Sequence, residues 1–183
     1  TSASFASINA GKHSFELDPG TPDGKATILA LVDWADVVVE SFSPKAMKKW
    51  GLDYASLKLH KPDLIMLSTC LFGHTGPHAL MAGYGTMGAA LGGLTLPTGE
   101  PGRPPCGPFG PYTDYVAPRF SVLAVLAALH HRDQTGEGQH IDQSQAESAM
   151  HYLSVAVAAA SRDAAAPDRL ANSDPSMCPH DVF

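Results

Sequence analysis

The chain has 183 residues, 44% of them hydrophobic, and a net charge of −6, which suits one domain with a real core. Phosphate neutralisation on a duplex needs clustered Lys and Arg, so the acidic balance argues against nucleic acid as a partner. No segment approaches the ~20 apolar residues of a membrane span, and Thr1–Ala10 lacks the pattern of a signal peptide. The cysteines, Cys70, Cys106 and Cys178, form no CxxC pair, which points to a reducing, cytoplasmic setting with neither a disulfide framework nor a zinc site.

Along the chain, His13–Asp18 alternates polar and apolar residues and predicts a strand. Thr21 then caps a predicted helix with Pro22 at its first position, running to about Trp34. Ala35–Glu40 is apolar without alternation and reads as a buried parallel-type strand. Ser43-Pro44 starts a short helix through Lys49, and a second runs from about Tyr54 to His60. Leu64–Thr69 is the next predicted strand.

Beyond it the chain is glycine-laden. A helix is expected over Met87–Leu94 and a longer apolar one from about Tyr115 to Arg132. A turn at Thr135–Gly138, a strand at His140–Asp142 and an Ala-rich helix from Ser144 to Ser161 complete the pattern. Strands alternating with helical crossovers predict an α/β fold, a Rossmann-like parallel sheet with flanking helices, whose ligands gather past the carboxyl ends of the strands. Residues 1–161 are expected to form this partial large domain and 162–183 a linker toward a second domain.

Two features carry chemistry. The basic cluster Lys45-Ala46-Met47-Lys48-Lys49 is either a solvated helix face or a seat for a phosphate-bearing small molecule. Asp114 stands between a Pro- and Gly-rich loop, Pro97–Pro111, and the long helix. It is either an N-cap or a nucleophile able to attack an acyl thioester, with loop and helix-start amides stabilising the oxyanion. His74 and His78 flank Gly76-Pro77, which precludes the shared helix face a metal pair would need.

An ordered set of segments resembles the class III CoA-transferases, a family that includes formyl-CoA transferase, carnitine CoA-transferase and α-methylacyl-CoA racemase. The set comprises Asn9-Ala10-Gly11-Lys12, Glu16-Leu17-Asp18, Thr21-Pro22-Asp23-Gly24, Ala35–Glu40, Gly51-Leu52-Asp53-Tyr54, Phe72–Pro77, Ala82-Gly83-Tyr84, Asp114-Tyr115 and Thr135–Gln139. The resemblance implies that Asp114 is the catalytic nucleophile, with Thr113 before it where the family usually has glycine. It places CoA contacts on Leu17, Asp18, Pro19 and Gly20, on Ser41, Phe42 and Ser43, on Lys49, and on Ala82, Gly83, Tyr84 and Gly85. Ser41, Gly20 and Gly85 depart from a usual Asn, Lys and Asp.

Racemases of the family carry His where this chain has Tyr84, and a phenol, with an ordinary pKa of about 10, is a poor proton acceptor at neutral pH. The resemblance therefore implies CoA transfer between carboxylic acids through an aspartyl intermediate. The acyl-CoA thioester is substrate, and no cofactor is tightly held. The alternatives are a racemase, or a non-catalytic CoA-binding half of a larger duplicated protein. Family members are about twice as long and form interlocked homodimers, so a homodimer of a longer protein is the expected assembly.

Overall fold

The computed structural model describes residues 2–162, 169–174 and 176–182. Three parallel strands, β1 (Val37–Glu40), β2 (Ile65–Cys70) and β3 (His140–Ser144), form one sheet in that order. Val38 pairs with Met66 and Glu40 with Ser68; Met66 also faces His140, and Ser68 faces Asp142. Because side chains alternate across a strand, Val38, Glu40, Met66, Ser68, His140 and Asp142 share one face.

That face is covered by α2 (Pro22–Trp34), α3 (Pro44–Trp50) and α4 (Tyr54–His60). Val32, Met47, Leu52, Leu57, Leu64 and Met66 close into its core. Leu57 and Leu64 are fully buried there, each contributing roughly 1.5–3 kcal/mol of transfer free energy. All three helices start as their sequences direct. Thr21, Ser43 and Asp53 each accept an amide of the first turn, and prolines occupy the first position of α2 and α3. Gly51 ends α3 in the left-handed conformation, which glycine adopts without a Cβ penalty.

The opposite face carries α5 (Gly85–Leu91), α6 (Tyr112–Thr135) and α7 (Gln145–Met150). Gln143 of β3 is buried and donates to the Ala117 carbonyl at 2.8 Å, and its side-chain oxygen accepts from Ser121. These bonds pin the first half of α6 to the sheet.

Several expectations differ from what is observed. His13–Asp18 is not a strand: it pairs with neither edge of the sheet, and most of its residues, Phe15 among them, are exposed. Alternation favours a strand only where a ladder partner exists. The helix expected over Met87–Leu94 starts two residues earlier and ends at Leu91, and the long helix begins three residues earlier, at Tyr112. The Ala-rich helix is split into α7, a 3₁₀ turn at His151–Leu153, and α8 (Ser154–Ala160). The tighter turn lets two consecutive rings, His151 and Tyr152, both reach Phe120, whereas α-helical neighbours point to different faces. An N-terminal helix, α1 (Ala3–Ile8), capped by Ser2, has no counterpart in the sequence reading.

The segment expected to be a linker lies partly outside the described residues, at 163–168, 175 and 183. Its described part folds back. Arg169 donates to the carbonyls of Leu96 and Glu100, and the amide of Ala171 donates to Gly99. Among the described residues no helix is long and apolar enough to cross a membrane.

Candidate active site

Asp114 occupies the third position of α6, so it is not the cap; Pro111 holds that place, without a side-chain hydrogen bond. A carboxylate in the first turn suits the helix dipole. Its position is set by its neighbour. Thr113 is fully buried, and its hydroxyl donates to the carbonyl of Gly85 at 3.3 Å and reaches Gln145 Oε1 at 3.4 Å.

The Thr113 side chain occupies room left by Gly88, where a Cβ would stand 3.0 Å from the hydroxyl and 3.1 Å from the methyl. The threonine that departs from the family's usual glycine is thus seated against a glycine on α5. It locks the starts of α5, α6 and α7 together beside the carboxyl end of β3.

Gly85 explains a second departure. A Cβ there would lie 2.8 Å from the Pro111 carbonyl oxygen and 2.9 Å from Asp114 Cγ, so no side chain fits while the starts of α5 and α6 are this close. The closeness brings the Gly85 amide to the Asp114 carboxylate. Asp114 is exposed overall, but partial desolvation on its packed side raises its pKa, and the Gly85 backbone opposes that rise in part. Seven residues into α6, Pro118 cannot give an N–H to the carbonyl of Asp114, four residues earlier. The nucleophile candidate therefore sits in a weakened first turn, with an amide donor beside it and its side chain open to solvent. Tyr84, at the N-cap of α5, is 78% exposed, and Ala82 and Gly83 lead to it along an exposed loop.

The other expected contact residues form a second group. Asp18, Pro19, Gly20 and Lys49 line one groove with Thr21, Pro22, Lys25 and Trp50. Half-buried Leu17 precedes it. Asp18 is occupied locally, accepting the Gly20 amide at 2.8 Å. Past β1, Ser41, Phe42 and Ser43 are exposed; Phe42 meets Trp50 edge-on with centroids 5.3 Å apart, and Ser43 caps α3. Asp114 is not among the residues lining the groove.

Sequence reasoning missed Lys25 and Trp50. Lys25 Nζ lies 2.7 Å from where a Gly51 Cβ would be, so the left-handed glycine that ends α3 also makes room for an amine from α2. No local motif marks that pairing, since it joins residues 26 positions apart. Lys25 and Lys49 give the groove two ammonium groups, suited to a phosphate-bearing ligand.

The model of CoA-transferase family III matches residues 1–183, and the chain belongs to this family. It is 37% identical to succinyl-CoA:mesaconate CoA-transferase of Haloarcula hispanica, over 98% of this chain and 46% of that protein. It is also 37% identical to succinate–glutarate CoA-transferase of Agrobacterium fabrum, over 100% of this chain and 46% of the relative. A crystal structure of a CAIB/BAIF family protein from Brucella suis superposes with a TM-score of 0.86 at 38% identity, covering 92% of this chain and 45% of that one. The chain thus spans about half the length of the relatives it matches.

Proposed function

We propose that this chain carries the nucleophile and part of the CoA seat of an enzyme that moves CoA from an acyl-CoA thioester to a free carboxylic acid. The observation that supports this best is Asp114, held by buried Thr113 with its carboxylate against the Gly85 amide, in a member of a CoA-transferase family. The relatives' names pair succinyl-CoA with mesaconate and succinate with glutarate, which favours short dicarboxylic acids as the class of substrate.

In this mechanism an Asp114 oxygen attacks the thioester carbonyl, and the C–S bond breaks. CoA leaves as thiolate, and a mixed anhydride joins Asp114 to the acyl group. The thiolate then attacks the Asp114 carbonyl carbon, releasing the donor acid as carboxylate and leaving an aspartyl-CoA thioester. The acceptor carboxylate attacks that thioester to form a second anhydride, and the thiolate takes the new acyl group and frees Asp114. An amide such as that of Gly85 stabilises negative charge as each tetrahedral centre forms. Lys25 and Lys49 hold the nucleotide end, and Ser41–Ser43, Ala82–Tyr84 and Gly85 line the path between.

The test is to incubate the parent protein with succinyl-CoA and hydroxylamine and to map the product by peptide mass. Asp114 is expected to become a hydroxamate. CoA transfer that proceeds normally with no modification of Asp114 under these conditions would refute the aspartyl route.

The groove yields a further expectation. Replacing Lys25 with Ala removes one charge-assisted contact and is expected to weaken CoA binding roughly 10-fold; Lys25→Arg should retain most of the affinity. Unchanged CoA affinity in Lys25→Ala, measured by calorimetry, would remove Lys25 from the site.

A further inference from the structure

We propose that Glu40 is a positioning residue whose carboxylate ties the exposed turn Ser41–Ser43 to the glycine-rich loop after β2, setting that turn for the CoA thioester. The inference rests on the reading that Ser41–Ser43 faces CoA.

Glu40 ends β1 on the face shared with Ser68 and Asp142. Its side chain is only 4% exposed, an unusual place for a carboxylate that belongs to no catalytic step. One oxygen, Oε2, accepts the amide of Phe42 at 2.7 Å. That bond curls the chain back on itself just past the strand and sends the Phe42 ring toward Trp50.

Among the described residues the other oxygen, Oε1, has no hydrogen-bond partner and faces His74 Nε2, also without one, at 3.5 Å. A buried acceptor with no donor is costly, and the nearest polar group belongs to the loop. His74 is held from its other side, its own amide donating to Asp142 Oδ1 at 2.8 Å. The carboxylate therefore stands between two loops that follow neighbouring strands, each anchored to it or facing it.

The surroundings fix the arrangement. A cavity of about 240 Å³ beside the pair is lined by Lys48 from α3, Asp53 at the cap of α4, Tyr54 from α4, Ser68 from β2 and His140 from β3. His140 stacks on Tyr54 at 4.7 Å and shares a hydrogen bond with Ser68 Oγ at 3.0 Å. Asp53 is engaged by Ser56. Among the described residues, Glu40 makes its polar contacts with the Phe42 amide and with His74.

A side chain that acts only on the core would lower stability and all kinetic constants together. A positioning side chain separates them. In the parent protein, Glu40→Ala is expected to raise KM for the acyl-CoA about 10-fold, while kcat and KM for the acceptor acid stay within about threefold. Glu40→Gln keeps an acceptor for Phe42 and offers an NH₂ group to His74, so it is expected to restore KM to near the native value. Hydrogen exchange should show faster exchange of the Phe42 amide in Glu40→Ala, with β2 amides unchanged.

Native KM in a folded Glu40→Ala protein, or a Gln variant as impaired as Ala, would overturn the proposal. So would unchanged exchange at Phe42, a readout that needs no turnover. A native protein that transfers no CoA would instead defeat the function on which the KM arm depends, leaving the exchange arm to decide whether Glu40 holds the turn.

Discussion

Asp114→Asn is expected to reduce CoA transfer roughly 10⁴-fold or more, the scale on which removal of a covalent nucleophile is felt, with the fold retained. The amide preserves the shape at the third position of α6, and the buried contacts of Thr113 that set that position are untouched.

The stability consequence follows from the pKa direction. The folded Asp114 binds its proton more tightly than an ordinary carboxylate because one side of it is partly desolvated. Its linkage contribution is therefore favourable at low pH and is lost as pH rises through the raised value. At neutral pH the ionised group is a small burden that Asn removes, against the loss of a favourable first-turn charge of about 1 kcal/mol or less. The melting temperature should shift by only a few degrees. The native pH profile of kcat/KM should also lose activity on the acid side at a pH above the ordinary aspartate range, since only the carboxylate attacks. Transfer at the native rate by Asp114→Asn would end the assignment.

Gly85→Ala is expected to have the second-largest effect, and its direction opposes local propensity. At a helix start alanine normally stabilises relative to glycine, by up to about 1 kcal/mol. Here the added Cβ would meet the Pro111 carbonyl at 2.8 Å and Asp114 Cγ at 2.9 Å. The first is backbone and cannot rotate away, so the starts of α5 and α6 must separate. Overpacking of this kind costs about 1–3 kcal/mol, and moving a nucleophile by as little as 1 Å can cost roughly 10²-fold in rate. Denaturant melts and steady-state kinetics on the variant check both effects. An alanine variant with native stability and native kcat/KM would show that the close approach of the two helices is not needed.

The second departure in the same region, Thr113, illustrates why a family pattern is not a sufficient guide to a site. In sequence a threonine before the proposed nucleophile looks like a disturbance. In the structure it is the most deeply anchored residue of the site, filling space beside Gly88 and hydrogen-bonded to the starts of two other helices. Glu40 is similar. In sequence it is the polar end of a buried strand, and only the parallel register beside Ser68 and the loop carrying His74 give its carboxylate two loops to join.

By itself the sequence determined the α/β character, the Thr21-Pro22 and Ser43-Pro44 starts of α2 and α3, the apolar runs that became β1 and β2, and the family. These depend on local physics: amide donors at helix starts need a nearby side-chain acceptor, and a strand buried on both faces needs consecutive apolar residues. β2 is buried as expected, whereas β1 is an edge strand whose Val39 is 61% exposed. The sequence also singled out Asp114, though as a residue before the helix rather than within its first turn. Tertiary structure alone decided that His13–Asp18 stays unpaired, that Lys25 shares a groove with Lys49 across Gly51, and that Gly85 lies against Asp114. Each of these depends on which surfaces meet between segments distant in the chain, and that is settled by packing of the whole domain rather than by the preference of any one stretch.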